Sequence, residues 1–420
     1  MSLSGYISKR LSLRDGDRRK WPPAIVVAVA GIAVSFTVMM LSIAVVKGFK
    51  SEIKRKIMGF DAQVAVMPLA GYYGDGSATL RFDGLMETAV EESVREVAGK
   101  DKRFNMSLSA SQPGILKTDD DFSGVVFRGY GDGHSWEFER SVLTEGELPD
   151  STDSKGIAIS ELMASKLGLA VGDRVDAYFI TDGNIRPRRF DVRGIYCSNF
   201  GEYDNAVAFA PYGVLARLGK FASGEGSRLE INGLDEKEIS AVADRLQSRL
   251  SAAYASGQID ESMAVTTVFS AGAIYFNWLD LLDTNVVVIL ILMGFVSGFT
   301  LISCVIILIL QRVRMIGILK ALGAGNRLIR GVFVRLGIRV TAAGLLIGNF
   351  VSFLLILLER STHILPLDPD AYYLSYVPVE TSPADWVLLN AGVVAVAFLI
   401  MLVPTGIAGR VSPVKTLRFE

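Results

Sequence analysis

The chain has 420 residues, half of them hydrophobic and 21% charged, with a formal net charge of −1. Its apolar residues cluster and its charges segregate by sign, which excludes an ordinary soluble globular chain and makes the net charge uninformative as a sum. The two cysteines, Cys197 and Cys304, fall in different regions, so neither a disulfide framework nor a metal site is expected.

Residues 1–23 read as a short basic amphipathic helix. Leu3, Tyr6, Ile7 and Leu11 share one face, and Lys9, Arg10 and Arg14 lie elsewhere. Such a helix rests in the interface plane, with Trp21 as an interfacial anchor. The first apolar stretch is Ala24–Val46. A membrane span needs ~20 apolar residues to cross ~30 Å of hydrocarbon. The stretch exceeds a signal-peptide core and precedes no A-x-A site, so a retained anchor is expected. From Lys47 to Ile57 the helical period persists, which predicts that the span continues outward as a stalk.

A polar region then predicts an α+β domain with short connections. Strands are expected at 63–67, 104–117, 124–129, 156–160, 174–180, 189–196, 206–210 and 227–231. Helices are expected at 88–98, 161–167 and 235–250, the second stopped by Gly168. Residues 266–283 read as a second stalk, with Tyr275, Phe276 and Trp278 near the membrane surface.

Three further apolar stretches follow, at about 284–310, 340–358 and 386–409. The chain therefore reads as an α-helical membrane protein with four transmembrane helices in a 1 + 3 arrangement and a large α+β domain between the first and second. Its divisions are 1–23, the first span 24–47, the α+β domain with its stalks 48–283, the second span 284–310, a helix and loop 311–339, the third span 340–358, a loop 359–385, the fourth span 386–409 and a tail 410–420. Lys and Arg crowd the N-terminal flank, the 311–339 loop and the tail, whereas 359–385 is acidic. Both termini and the 311–339 loop are thus expected inside, with the large domain outside. Lys47, Lys50, Lys54, Arg55 and Lys56 run against this count, but long domains translocate largely regardless of charge.

Motifs for chemistry are missing. The chain has no phosphate-cradling G-x-x-x-x-G-K-[ST], no H-E-x-x-H, no G-x-S-x-G and only His134 and His363. The four apolar stretches contain no Asp, Glu, Lys, Arg or His, which argues against a proton relay or ion pathway. No enzyme activity, no cofactor in this chain, no metal and no nucleic-acid partner are expected. Gly294 and Gly298, and again Gly344 and Gly348, have G-x-x-x-G spacing, which suits close helix packing within the chain or at a subunit seam.

The sharpest local feature lies between the second and third spans. Val313, Ile316, Leu319 and Leu322 recur at helical spacing, Arg312, Arg314 and Lys320 supply charge, and Gly323 and Gly325 supply a stop. Such a helix can rest on the bilayer or dock in a partner's groove.

The segment Arg314-Met-Ile-Gly-Ile-Leu-Lys-Ala-Leu-Gly-Ala324 resembles the coupling helix of ABC-transporter permeases of the FtsX/MacB-like class. Val34–Phe60 resembles the first span and stalk of the lipoprotein-releasing (LolC/LolE-type) permeases. So do the loop Leu367-Asp-Pro-Asp-Ala-Tyr-Tyr-Leu-Ser-Tyr-Val-Pro-Val379 and the tail from Pro404 to Glu420. Gly156–Val175 resembles the periplasmic core of the wider class. Two features depart from the pattern. Met315 stands where many members have an acidic residue, and the Ile180–Arg189 connection is short beside the protruding hook by which one permease type recruits a carrier.

The resemblance implies a bacterial inner-membrane permease working by mechanotransmission, with a periplasmic large domain, a second permease and cytoplasmic ATPase subunits that hold ATP and Mg²⁺. Arg312, Arg314, Met315, Ile316, Gly317, Leu319, Lys320, Leu322 and Gly323 would receive the ATPase motion. Acyl chains of a lipoprotein would enter from the membrane between the first and second spans, against Phe36, Met39, Met40, Ile43, Phe295, Phe299 and Ile302, before transfer to a periplasmic carrier. The short hook region points to the partner without a hook, or to a homodimer. The rival readings are an efflux permease for a small molecule or peptide, a regulator of cell-wall hydrolases, and a membrane-anchored sensor or adhesion protein without an ATPase.

Overall fold

Among the described residues, four helices are long and apolar enough to cross a membrane. A computed structural model describes residues 22–74, 78–149, 154–181 and 184–408. The amphipathic segment expected at 1–23, apart from Pro22 and Pro23, and the tail 410–420 lie outside the described residues. The helices that carry the description are α1 Pro23–Phe60, α2 Gly84–Ala98, α3 Glu161–Leu167, α4 Tyr212–Gly219, α5 Glu236–Ala255, α6 Ala273–Gln311, α7 Val313–Ala321, α8 Asn326–Thr362 and α9 Pro383–Ala408.

The chain divides into two compact units. One holds residues up to Ser51, Trp278–Pro366 and those from Tyr376 onward; the other holds Glu52–Asn277 and Leu367–Ser375.

In the helical unit, α1, α6, α8 and α9 share a core that includes Ile32, Val305, Phe333 and Met401, joined by Ile316 from α7. A second cluster packs Phe36, Met40 and Ala44 of α1 against Leu345 and Ile356 of α8. One polar pair sits among these apolar surfaces. The Asn349 and Asn390 side-chain amides of α8 and α9 donate reciprocally to each other at 2.9 and 3.0 Å. Each therefore satisfies the other where no water is at hand.

The other unit is built on a ten-stranded sheet. Its strands are β1 Val64–Pro68, β2 Asn105–Lys117, β3 Phe122–Tyr130, β4 Leu143–Gly146, β5 Gly156–Ser160, β6 Arg174–Thr181, β7 Asn184–Tyr196, β8 Val207–Phe209, β9 Arg228–Asn232 and β10 Met263–Thr267. The order is β10-β1-β9-β2-β3-β8-β5-β7-β4, and β6 pairs with both β2 and β7. Strands β2, β3, β8, β5, β7 and β6 thus close on themselves. Phe127, Phe179 and Phe190 meet in their core, with the first two ring centroids 4.9 Å apart. Local chemistry sets the boundaries. Ser160 caps α3 by accepting from Met163 N at 3.1 Å, and Gly168 ends it at φ +63°. Asp83 caps α2 in the same way, which starts that helix a turn before the expected Thr88.

The expected β5 and α3 match the structure residue for residue. Two segments differ. Residues 263–267, partly read as the second stalk, form β10, because Val265, Thr266 and Thr267 suit a strand and β1 offers an antiparallel edge. The helix expected within 311–339 is α7, but the rest of that segment is not loop, because α8 begins at Asn326. Ile329, Val332, Phe333 and Leu336 keep the buried helical stripe of α8 going, while Arg327 and Arg330 stay exposed.

The end of α1 is fixed within the α+β unit. Phe60 stacks on Tyr203 at 4.4 Å and meets Phe138 edge-on at 5.0 Å. Arg128 donates from Nη1 to the Phe60 carbonyl at 2.6 Å, satisfying an orphan acceptor of the helix terminus.

Candidate functional site

Helices α6 and α9 are apolar on nearly every side, so polarity does not choose which faces meet. Small residues do. A Cβ at Gly344 of α8 would lie 2.8 Å from Ile32 of α1, and one at Gly348 3.0 Å from the Ala33 carbonyl. A Cβ at Gly298 of α6 would lie 2.4 Å from Ile400 of α9. These three glycines therefore serve packing inside the chain. Gly294 of α6 and Gly392 of α9 differ: a Cβ there meets nothing within 4 Å.

Both of those glycines line an apolar cleft of about 400 Å³ between α1, α6 and α9. Met39 and Ile43 form the α1 wall. Leu290, Gly294, Ser297, Gly298 and Leu301 form the α6 wall, and Leu388, Leu389, Gly392, Val393, Val396, Ala397 and Ile400 the α9 wall. The polar residues in the lining are Ser297 and Asp385. Asp385 is held by Lys47 Nζ at 2.7 and 2.9 Å and by the Ser382 N–H at 2.8 Å. The volume suits a slender apolar ligand.

Of the residues expected at a cleft, Met39 and Ile43 come together there. Phe36 and Met40 point to α8 and are fully buried. Phe295 and Phe299 are 63% and 66% exposed, and Ile302 is half-buried. The α6 wall uses positions 294, 297, 298 and 301, and a shift of one residue along a helix turns a side chain by ~100°. The α9 wall gave no sequence signal because that helix lacks a polar face.

Helix α7 buries Ile316 and Gly317 against the helical unit, with Met315, Leu319 and Lys320 half-buried. Arg312, Arg314 and Ile318 are exposed, and Leu322 is 80% exposed. The expected apolar stripe through Leu322 is therefore broken, because the helix ends before it. Ala324 N donates to Leu319 O at 2.9 Å, and Gly323 takes φ +90°, a conformation glycine enters freely.

The five cations that follow the first span are all engaged. Lys47 pairs with Asp385, Lys50 with Asp283 at 2.6 Å, Lys54 with Glu236 and Arg55 with Glu52. Lys56, ten residues beyond the apolar stretch of α1, donates to the Ser198 and Tyr373 carbonyls at 2.5 and 2.7 Å. Burial pushes its ammonium down to about 8, against opposing pulls from Glu52 and Asp204. Burial likewise raises the Asp204 carboxyl, although Ser198 hydrogen-bonds it.

The Ile180–Arg189 connection is the end of a β6–β7 hairpin. Ile180 pairs with Ile185, and the two are 66% and 67% exposed. No group of three or more metal-ligand side chains occurs among the described residues.

Residues 25–273 match the model for the MacB-like periplasmic core domain, and residues 287–413 match that for the FtsX-like permease C-terminal region. The chain belongs to the FtsX-like permeases that carry a MacB-like periplasmic core domain, and is a membrane subunit without an enzyme's chemistry. Its relatives include a lipoprotein-releasing system transmembrane protein LolC from Xylella fastidiosa (strain Temecula1), 24% identical over 94% of this chain and 93% of that one. The LolC of Neisseria meningitidis serogroup B is 23% identical over the full length of both chains. The LolE of Haemophilus influenzae is 24% identical over 33% of this chain and 35% of its own.

Proposed function

We propose that this chain is the permease subunit of an ABC transporter that extracts lipoproteins from the outer leaflet of the bacterial inner membrane and releases them to a periplasmic carrier. The observation that carries the reading is the apolar cleft between α1, α6 and α9. Burying an acyl chain there contributes about 0.8 kcal/mol per methylene relative to water, which offsets the similar cost of drawing the chain out of the bilayer. Lys47 and Asp385 at one end of the cleft supply polar groups for the region where acyl chains join the protein.

The termini and α7 face the cytoplasm in this reading, and the α+β unit faces the periplasm. Two permeases, identical or of two kinds, sit on two ATPase subunits that hold ATP and Mg²⁺. The exposed Arg314, Ile318 and Leu322 dock in the ATPase, and its closure moves α7 against the core it shares through Ile316. Helices α1 and α6 each continue from an apolar span into residues of the α+β unit, and they transmit the motion.

The test is reconstitution of the permease with its ATPase in liposomes loaded with a fluorescent triacylated lipoprotein. ATP-dependent transfer of the label to an added carrier is expected. Efflux of a small molecule, with the lipoprotein left in the bilayer, refutes the reading.

A further inference from the structure

The loop between the third and fourth apolar helices is divided: Val379 packs against the helical unit, but the middle does not belong to that unit. Its middle, Leu367–Ser375, belongs to the α+β unit. The segment is closed on itself: Leu367 N donates to Ser375 O at 3.0 Å and Tyr373 N to Pro369 O at 2.8 Å. Tyr373 takes φ +60°, in the left-handed region that a bulky residue enters only where its surroundings hold it.

Those surroundings come from three other segments. The Tyr373 ring stacks on Phe200, which follows β7. Tyr275, from the first turn of α6, meets Phe200 edge-on at 5.0 Å and Tyr373 at 6.1 Å. Beneath them Lys56 of α1, 6% exposed, spans from the Ser198 carbonyl to the Tyr373 carbonyl. Ser198 is itself immobilised, because its N–H and hydroxyl both donate to the Asp204 carboxylate, the hydroxyl at 2.5 Å.

A lysine is a costly choice for a buried site. An apolar residue would fill the volume without losing the ammonium's hydration, so the retained donors need a purpose. Lysine has the reach and the several donors to hold two carbonyls from segments far apart in sequence. Even with one proton removed it keeps the two N–H groups those carbonyls need.

We propose that Lys56 is a positioning residue for transport: it clasps the 367–375 loop to the end of α1, so that this loop moves with the α+β unit and not with the spans that flank it. The clasped loop is joined to the apolar helices at both its ends, so that unit has two covalent connections to them besides α1 and α6. It rests on the permease reading for its role in transport, but not for its existence. A coupling element needs a discrete packed arrangement that both sides bias. The Asp204–Ser198–Lys56–Tyr373 chain, roofed by three aromatic rings, is such an arrangement.

The experiment uses the full chain with its ATPase in nanodiscs, as wild type, Lys56→Met and Phe200→Leu. Hydrogen exchange of amides 367–375 is expected to accelerate about tenfold in Lys56→Met and less in Phe200→Leu, with amides of β5 and β7 unchanged. Release of a fluorescent triacylated lipoprotein should fall in the same order while ATPase association persists. Unchanged exchange at 367–375 in both variants overturns the clasp. Equal acceleration in β5 and β7 also overturns it, since Lys56 then merely supports the fold. If wild type shows no ATP-driven release, the permease reading falls, and the exchange comparison still decides the clasp.

Discussion

The ring of Tyr373 lies nearly parallel to that of Phe200, with 4.5 Å between centroids and 15° between planes. Phe200 is fully buried, so its loss leaves a cavity under the Tyr373 ring. Phe200→Ala should cost about 3–5 kcal/mol, and Tyr373→Phe, which keeps the stack, far less. Chemical denaturation of the purified chain, followed by near-UV circular dichroism, compares the two.

A Cβ at Gly294 or Gly392 meets nothing within 4 Å, and both glycines line the cleft. Gly294→Leu and Gly392→Leu should reduce lipoprotein release about tenfold or more, the loss of an acyl chain's room, with thermal stability unchanged. Gly344→Leu collides with Ile32 and should lower stability, by about 1–3 kcal/mol or more. A release assay beside a thermal melt separates the two classes.

Leu322 and Gly317 should also part company. Leu322→Arg changes an exposed side chain, so the permease should fold normally and lose its ATPase in co-purification. Gly317→Arg forces a charge into a buried position and should destabilise the permease itself. Full ATP-driven release by Leu322→Arg would rule α7 out as the ATPase contact.

Lys56 gives a pH dependence of definite sign. Its folded value of about 8 lies below the ordinary 10.5. Below pH 8 both states hold the proton and the full cost of burying charge is present. Between about 8 and 10.5 the unfolded chain binds more protons, so stability rises with pH. The melting temperature of wild type relative to Lys56→Met should therefore climb from pH 7.5 to 9.5. A flat difference would mean the ammonium is not desolvated.

The spans were readable because each is an uncharged run of membrane length, and β5 with α3 because β-branched residues, a Ser cap and a terminal Gly all agree locally. Strand β10 was obscured because its identity depends on β1, far away in sequence. The early start of α8 was hidden by arginines that a hydropathy reading treats as loop, although they occupy one side of an amphipathic helix. At the cleft, Met39 and Ile43 were visible as large apolar residues of the isolated first span, but the rotation of α6 and the use of α9 depend on which small residues let helices approach. The docking of 367–375 could not be read locally. Its sequence shows only a proline- and tyrosine-containing loop, and Lys56 looked like one member of a cationic run.

The reciprocal amide pair of Asn349 and Asn390 bears on how the cleft can open. Each Nδ2 also donates to its own helix, at Leu345 O and Trp386 O, but sliding α9 along α8 would leave both Oδ1 atoms without a donor in hydrocarbon, so axial translation is the expensive coordinate. Tilting or rolling about the pair keeps both hydrogen bonds. The third wall of the cleft is thus hinged at a fixed height, like a door on one pin, and its accessible motion is to swing.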